Sequence, residues 1–347
     1  MKNAVELLCR LIEVPRISRE ETAAADLLQD YMTGELGLVV QRHGNNLWSV
    51  APDFRPDRET LLLCAHIDTV RPVAGWQRDP FRATREGDRI YGLGSNDDGA
   101  SLVSLLHVFA SLVKDSSKRG LYNLVFLASA EEEVSGKGGV ESVLPLLPRI
   151  DVALVGEPTG MQPAIAEKGL MVLDVTARGK AGHAARNEGD NAIYHALDDM
   201  EWFRSYRWER VSPLLGAVKM TVTIVNAGTQ HNVVPDSCTF TVDVRPNECY
   251  TNQELLERIK EHVGSEVRAR STRLGSSRIR LEHPLVQRII GMGGTPFGSP
   301  TLSDQALMPF PSLKMGPGQS SRSHTADEYI EVGEIREAME MYSYLLS

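Results

Sequence analysis

The sequence predicts an α/β fold: a mixed, mostly parallel sheet with helices on both faces, interrupted by an inserted α+β domain. Three observations carry this. Short Val/Leu-rich runs (LLLCAH, LVFLAS, VALV) read as buried parallel strands. Leu102, Leu105, Leu106, Phe109 and Leu112 follow helical spacing and place a helix between the first two runs. Near residue 166 the texture changes, and MVLDVTA, KMTVTIV and CTFTVDV alternate polar and apolar residues as half-exposed antiparallel strands do.

The elements follow in order. MKNAVELLCRLIEV has an amphipathic helix pattern. Ser18-Arg-Glu-Glu21 reads as a capping box before a helix with Ala23, Leu27, Leu28 and Tyr31 on one face, closed by Gly34 and Gly37. Residues 38–51 and 60–65 read as strands. Alternation of strand and helix then continues to about Glu157 and implies parallel crossovers. Past 166, helical stretches near 190–205 and 252–263 separate the alternating strands. The order strand–helix–strand–strand–helix–strand is a split βαβ, ferredoxin-like module with helices on one sheet face. The expected domains are therefore 1–165 with 283–347, and an inserted 166–282 that returns at His283-Pro284. Residues 291–323, rich in Gly, Pro and Ser, read as loops.

Composition excludes several classes. The 347 residues carry a net charge of −9, which argues against a binder of phosphate backbones, so no nucleic-acid partner is expected. No apolar stretch approaches the ~20 residues of a membrane helix. The N-terminal segment lacks the apolar region and small-residue cleavage site of a secretory signal. Cys9, Cys64, Cys238 and Cys249 are scattered without a CxxC, as reduced cytoplasmic thiols are. Cys64 itself reads as a small core residue.

Several of the strand-like runs end in metal-type side chains. His66-Ile-Asp68 follows the first; a metal-binding imidazole commonly gives its second N–H to a carboxylate, and residues i and i+2 share a strand face. Glu131, Glu132 and Glu133 follow the second run, and three acids at a buried strand end are costly without cations. Gly156-Glu157-Pro158 ends the third. Asp97 and Asp98 lie in YGLGSNDDGA, whose glycines do not have the dinucleotide-binding spacing, and His324 lies in SHTADEYI. Ligands of open α/β sheets sit beyond the carboxyl ends of the strands, so these groups point at one crevice. Each signal alone has an ordinary explanation: a solvated acid run, a tight turn, a core or loop histidine.

Together, in order, the segments HxD, YGxGxxD, the acid cluster followed by Gly, GEPT, GxxxH, NVVP with a later DxR, and HTADE resemble those of the two-zinc aminoacylase and carboxypeptidase family, the acetylornithine deacetylase and succinyl-diaminopimelate desuccinylase-like enzymes. The resemblance covers nearly the whole chain and implies a zinc-exopeptidase-like catalytic domain with a lid and dimerisation insert. It implies two Zn²⁺, with Co²⁺ or Mn²⁺ as alternatives. Asp97 would bridge the ions, His66 and Glu157 complete one site, and Glu133 and His324 complete the other. Asp68 would orient His66, Glu132 would be the general base, and the peptide after Asp97 would be cis. Three carboxylates against four positive charges leave room for one metal-bridging hydroxide, the implied nucleophile toward an amide carbonyl.

In the insert, His183 matches a histidine that reaches across a homodimer to the substrate carbonyl, Asn232 a substrate-contacting amide, and Arg245 a clamp on the α-carboxylate, an ordinary salt bridge being the alternative for Arg245. Gly316, Gly318 and Ser320 fall on the substrate-side loop. Leu93, Glu131 and Asp98-Gly99 depart from the family pattern without removing a ligand or the base. Arg322 reads as a solvated loop cation, an extra contact to a charged acyl group being the alternative. The implied activity is removal of an acetyl or succinyl group from a small α-amino acid, ornithine or citrulline, in cytoplasmic arginine biosynthesis. The alternatives are a di- or tripeptidase or carboxypeptidase, a succinyl-diaminopimelate desuccinylase, a single-metal hydrolase, and a silent metal-binding homologue.

Overall fold

In the computed structural model, which describes residues 1–115, 117, 120 and 122–347, the apolar runs form adjacent strands. Thr60–His66 pairs in parallel with Asn123–Ser129 on one side and with Val152–Val155 on the other. Alternation inside Thr60–His66 explains why both sheet faces are covered. Leu61, Leu63 and Ala65 join one core with Leu102, Leu106 and Phe109 of the helix Ala100–Lys114 and Tyr342 of the helix Val332–Leu346. Leu62 and Cys64 join a second core with Val140, Val143 and Met308. That second face is covered by one short helix, Val140–Val143, and by turns, rather than by long helices. Cys64 is a buried core residue, and all four cysteines are unpaired.

The chain divides into two units: Met1–Ile165 with Arg278–Phe297 and Ser303–Ser347, and Ala166–Ser277 with Gly298–Leu302. The first break falls where the texture of the sequence changes. The return comes at 278, five residues before His283, which is instead the cap of the helix Pro284–Gly291 and accepts from the Leu285 N–H.

Within the second unit, the antiparallel order is Lys219–Ala227, Ser237–Arg245, Met171–Arg178, Glu266–Ala269. Its helices Ala192–Ser205 and Asn252–His262 share a core with the alternating Met171, Leu173, Val175 and Phe240, Val242, Val244. The edge strand Lys219–Ala227 carries a bulge between Val222 and Ile224, and Ile224 and Val225 are exposed.

Four local expectations are corrected. Residues 38–51 are not one strand but a hairpin, Gln41–His43 and Asn46–Val50, turned at Gly44 with φ +59°. Ser18 caps no helix. Its hydroxyl donates to Asp68 Oδ2 at 2.6 Å, and the helix begins at Thr22 without a side-chain cap. Residues 291–323 are not all loop: Ser312–Lys314 is a buried strand parallel to Val152–Val155. A strand of three residues is too short to show a period. Arg322 is not solvated; it pairs with Glu334 at 2.7 Å and lies over the Tyr329 ring. Among the described residues no helix is long and apolar enough to cross a membrane.

Candidate metal centre

His66 ends its strand almost fully buried. Its Nδ1 lies 3.0 Å from the Asp68 backbone carbonyl oxygen and 3.6 Å from that residue's carboxylate. The backbone oxygen is thus the nearer orienting partner. The Asp68 carboxylate has further work: it accepts from the Ser18 hydroxyl and from the backbone N–H groups of Glu132, at 3.0 Å, and Glu133, at 3.2 Å. Asp68 therefore fixes the acid turn as well as supporting the imidazole.

His66 Nε2 faces Asp97 Oδ1 at 3.0 Å and Glu132 Oε2 at 3.9 Å. Asp97 lies in the turn Ser95–Gly99, and its peptide to Asp98 is cis. The acid run continues the strand Asn123–Ser129 into the turn Glu132–Val134, after Glu131 at φ +54°. Glu131 turns away from the cluster into the following glycines. A Cβ at Gly136 would fall on its Oε2, and the Gly138 N–H donates to that oxygen. That contact explains the glycines after the acids.

His324, half exposed at φ +57°, brings Nε2 to 2.9 Å from Glu133 Oε2 and 3.8 Å from Asp97 Oδ2. Single donor atoms of His66, Asp97 and Glu133 lie within 4.8 Å of one another, and so do those of His66, Glu132 and Glu157. The cluster thus brings together all five residues expected to hold metal, with Glu132 among them.

Electrostatics follow from this packing. Burial pushes the Glu132 and Glu157 carboxyls well above the ordinary 4.5, and raises Glu133 as well. Burial likewise pushes Asp98 up to about 7. Burial also works to raise Asp97, but its contact with His66 outweighs this and holds it low. Burial works to lower His66, but Asp68 and Asp97 hold its imidazole well above 6.5. The Glu133 contact lifts His324 to about 9.

Four carboxylates and two imidazoles in one largely buried cluster suit borderline divalent ions with nitrogen and oxygen ligands, Zn²⁺ first. Such ions also stabilise the charged form that burial disfavours.

The other expected site residues fall into two groups. Gly316 packs on the ligand segment: a Cβ there would sit 2.6 Å from the Glu157 carbonyl oxygen. Gly318, at φ +85°, accepts from the Gly160 N–H, and Ser320 is exposed at the start of the turn Ser320–Arg322. In the second unit, exposed His183 pairs with Val233 across a short ladder, and the Ala184 N–H donates to the Asn232 carbonyl, so these two are neighbours. Arg245 holds Asp243 with two bonds, 2.8 and 3.1 Å.

Sequence reasoning missed Arg16 and Glu328, both buried beside the Asp97 turn. A role for Glu328 was within reach, because it closes the HTADE segment; Arg16 gave no signal, since a lone loop arginine ordinarily reads as solvated.

A family model described as peptidase family M20/M25/M40 matches residues 62–347. The chain is 27% identical over 354 residues to a Mycobacterium tuberculosis protein provisionally named succinyl-diaminopimelate desuccinylase DapE, covering 97% of this chain and 96% of that one. It is 27% identical over 373 residues to the acetylornithine deacetylase of Pectobacterium atrosepticum, covering 99% and 96%. The fold resembles that of a tripeptidase from Staphylococcus aureus, with TM-score 0.78, 18% identity and coverage of 99% and 97%.

The raised acids give a pH signature. Asp98 and Glu328 stand at about 7, and Glu132, Glu133 and Glu157 are also raised, so above pH ~4.5 the folded chain holds more protons than the unfolded one. Asp68 and Asp97 are held low and titrate below this window. Stability of chelator-stripped protein is therefore expected to fall as pH rises from ~4.5 through ~7. His324 at about 9 acts in the same sense between 6.5 and 9. A divalent ion bound there would offset the cost of ionised carboxylates, so the Tm gap between metal-loaded and stripped protein should widen from about pH 5 to about pH 8. A gap that stays constant or is absent contradicts the electrostatic reading.

Proposed function

The chain belongs to the M20/M25/M40 peptidase family, and on that premise we propose that it is a two-metal amide hydrolase that removes an acetyl or succinyl group from a small α-amino acid, ornithine or citrulline. The observation that carries the reading is the convergence of imidazole and carboxylate donors from five separate segments, those of His66, Asp97, Glu132 with Glu133, Glu157 and His324. The names of two relatives, each aligned over nearly the whole chain, point to the same reaction class.

Asp97 would hold both ions, His66 and Glu157 would hold one, and Glu133 and His324 the other. Bound divalent ions supply charge neutralisation, an acidified water and polarisation of the amide carbonyl. Glu132 takes a proton from the attacking water at its carboxylate and returns it to the leaving nitrogen. Burial supports that double role, because it keeps the Glu132 pKa above the usual carboxylate range. Asp68 holds the backbone of Glu132, so the base is positioned by the residue that also supports His66.

On the substrate side, His183 is assigned to the scissile carbonyl of substrate held in the other subunit of a homodimer, Asn232 to a substrate contact, and Arg245 to the α-carboxylate, which would replace or share its bond to Asp243. Gly316, Gly318 and Ser320 line the loop before His324. The insert is assigned to homodimer formation, with the exposed Ile224 and Val225 of its edge strand as contact residues. Four unpaired cysteines fit a reducing cytoplasm.

Three outcomes test this. Acetyl- and succinyl-ornithine and -citrulline should be hydrolysed with kcat/KM at least ~10-fold above that for dipeptides; preference for dipeptides overturns the deacylase reading in favour of an exopeptidase. Glu132→Gln should lower kcat by ~10²–10⁴ while retaining bound metal, and wild-type turnover would remove Glu132 from the chemistry. Mixing inactive His183→Ala with inactive Glu132→Gln should restore activity through mixed dimers, whereas no recovery would place His183 outside a shared site.

A further inference from the structure

The turn that carries Asp97 makes no ladder with the sheet, yet its position sets the distance between Asp97 and His66. Its backbone groups are held from two sides. Glu328 accepts three N–H groups: Gly94 at 2.8 Å on Oε2, and Asn96 at 2.9 Å and Asp97 at 2.8 Å on Oε1. Arg16 donates to the Gly94 carbonyl at 2.7 Å and to the Ile67 carbonyl, one residue past His66, at 2.9 Å. Both side chains are 2% exposed. Charge-assisted bonds at such depth are strong and geometrically restrictive.

The slot is shaped for the guanidinium. Gly94 has φ +73°, and a Cβ there would lie 2.5 Å from Arg16 Nη2. The same turn is tied to the segment before His324 through Asn96. Its side-chain amide donates to Gln319 O and Ser323 Oγ, and its carbonyl accepts from the Gln319 N–H.

We propose that Arg16 and Glu328 are a pair of positioning residues that clamp the Asp97 turn against the His66 strand end and so set the affinity of the centre for divalent metal. The proposal rests on the two-metal reading above. Neither residue is assigned to an ion or to substrate; each acts through the backbone of a ligand-bearing segment. Glu328→Gln keeps one acceptor oxygen and turns an NH₂ toward a backbone N–H, so part of the set of three hydrogen bonds is lost. Lysine at 16 keeps the charge but not the planar fork that spans two carbonyls.

The test is metal retention by the Zn²⁺-loaded full-length chain during dialysis against graded chelator, with ions per chain measured by elemental analysis. Glu328→Gln and Arg16→Lys should each lose metal at ~10–100-fold lower chelator strength than wild type. Asn123→Ala is the control for general destabilisation. Asn123 starts the strand Asn123–Ser129, at the end remote from the acid turn, and its side chain bonds Arg55 and Arg58 backbone groups. Asn123→Ala should lower Tm yet retain metal as wild type does. Wild-type retention in both clamp variants, or equal loss in Asn123→Ala, overturns the clamp. If Glu328→Gln fails to fold, Arg16→Lys decides alone. A wild-type chain that retains no divalent ion sinks the two-metal reading itself.

Discussion

Burying several carboxylates within a few ångströms of one another is unfavourable unless cations share the space, and that constraint organises this protein. Asp97, Glu132, Glu133 and Glu157 cluster beyond the strand end at His66, and the protein cations beside them include His66, half-exposed His324, Lys314 acting on Glu157, and Arg16 beside the Asp97 turn. The two packed faces of the sheet hold the strand ends in place. Asp68, Arg16 and Glu328 then hold the turns beyond them. The resulting cluster is preorganised for divalent ions by backbone bonds, not only by the donors themselves.

Much of this was legible in the sequence wherever a physical signal spans several residues. LLLCAH and LVFLAS are buried on both sheet faces, so every position before the last is apolar, and their ends lead into His66 and the acid run 131–133. The insert was legible for the opposite reason: Met171–Arg178 buries alternate residues only. Ser312–Lys314 was not legible, because three residues carry no period and a buried lysine contradicts the usual pattern for a central strand. Ser18 was misread because its spacing to Glu21 satisfies a local rule, while its hydroxyl is used by Asp68, fifty residues away. Arg16, Glu328 and the paired state of Arg322 depend on contacts between distant segments, which no local spacing encodes.

The family resemblance supplied what spacing alone left open: which donors would share an ion, and which acid would stay free for proton transfer. The structure adds a qualification. Glu132 lies as near to the His66–Glu157 group as a ligand would. Relatives named for different acyl groups align with this chain at the same identity.

The central claim is that His66, Asp97, Glu133, Glu157 and His324 hold two divalent ions straddled by Asp97. The most direct measurement is an anomalous-scattering map at the zinc edge from crystals of the Zn²⁺-loaded protein. Two peaks are expected, one on each side of the Asp97 carboxylate, the first beside His66 and Glu157 and the second beside Glu133 and His324. A single peak, or zinc bound away from Asp97, would contradict the claim.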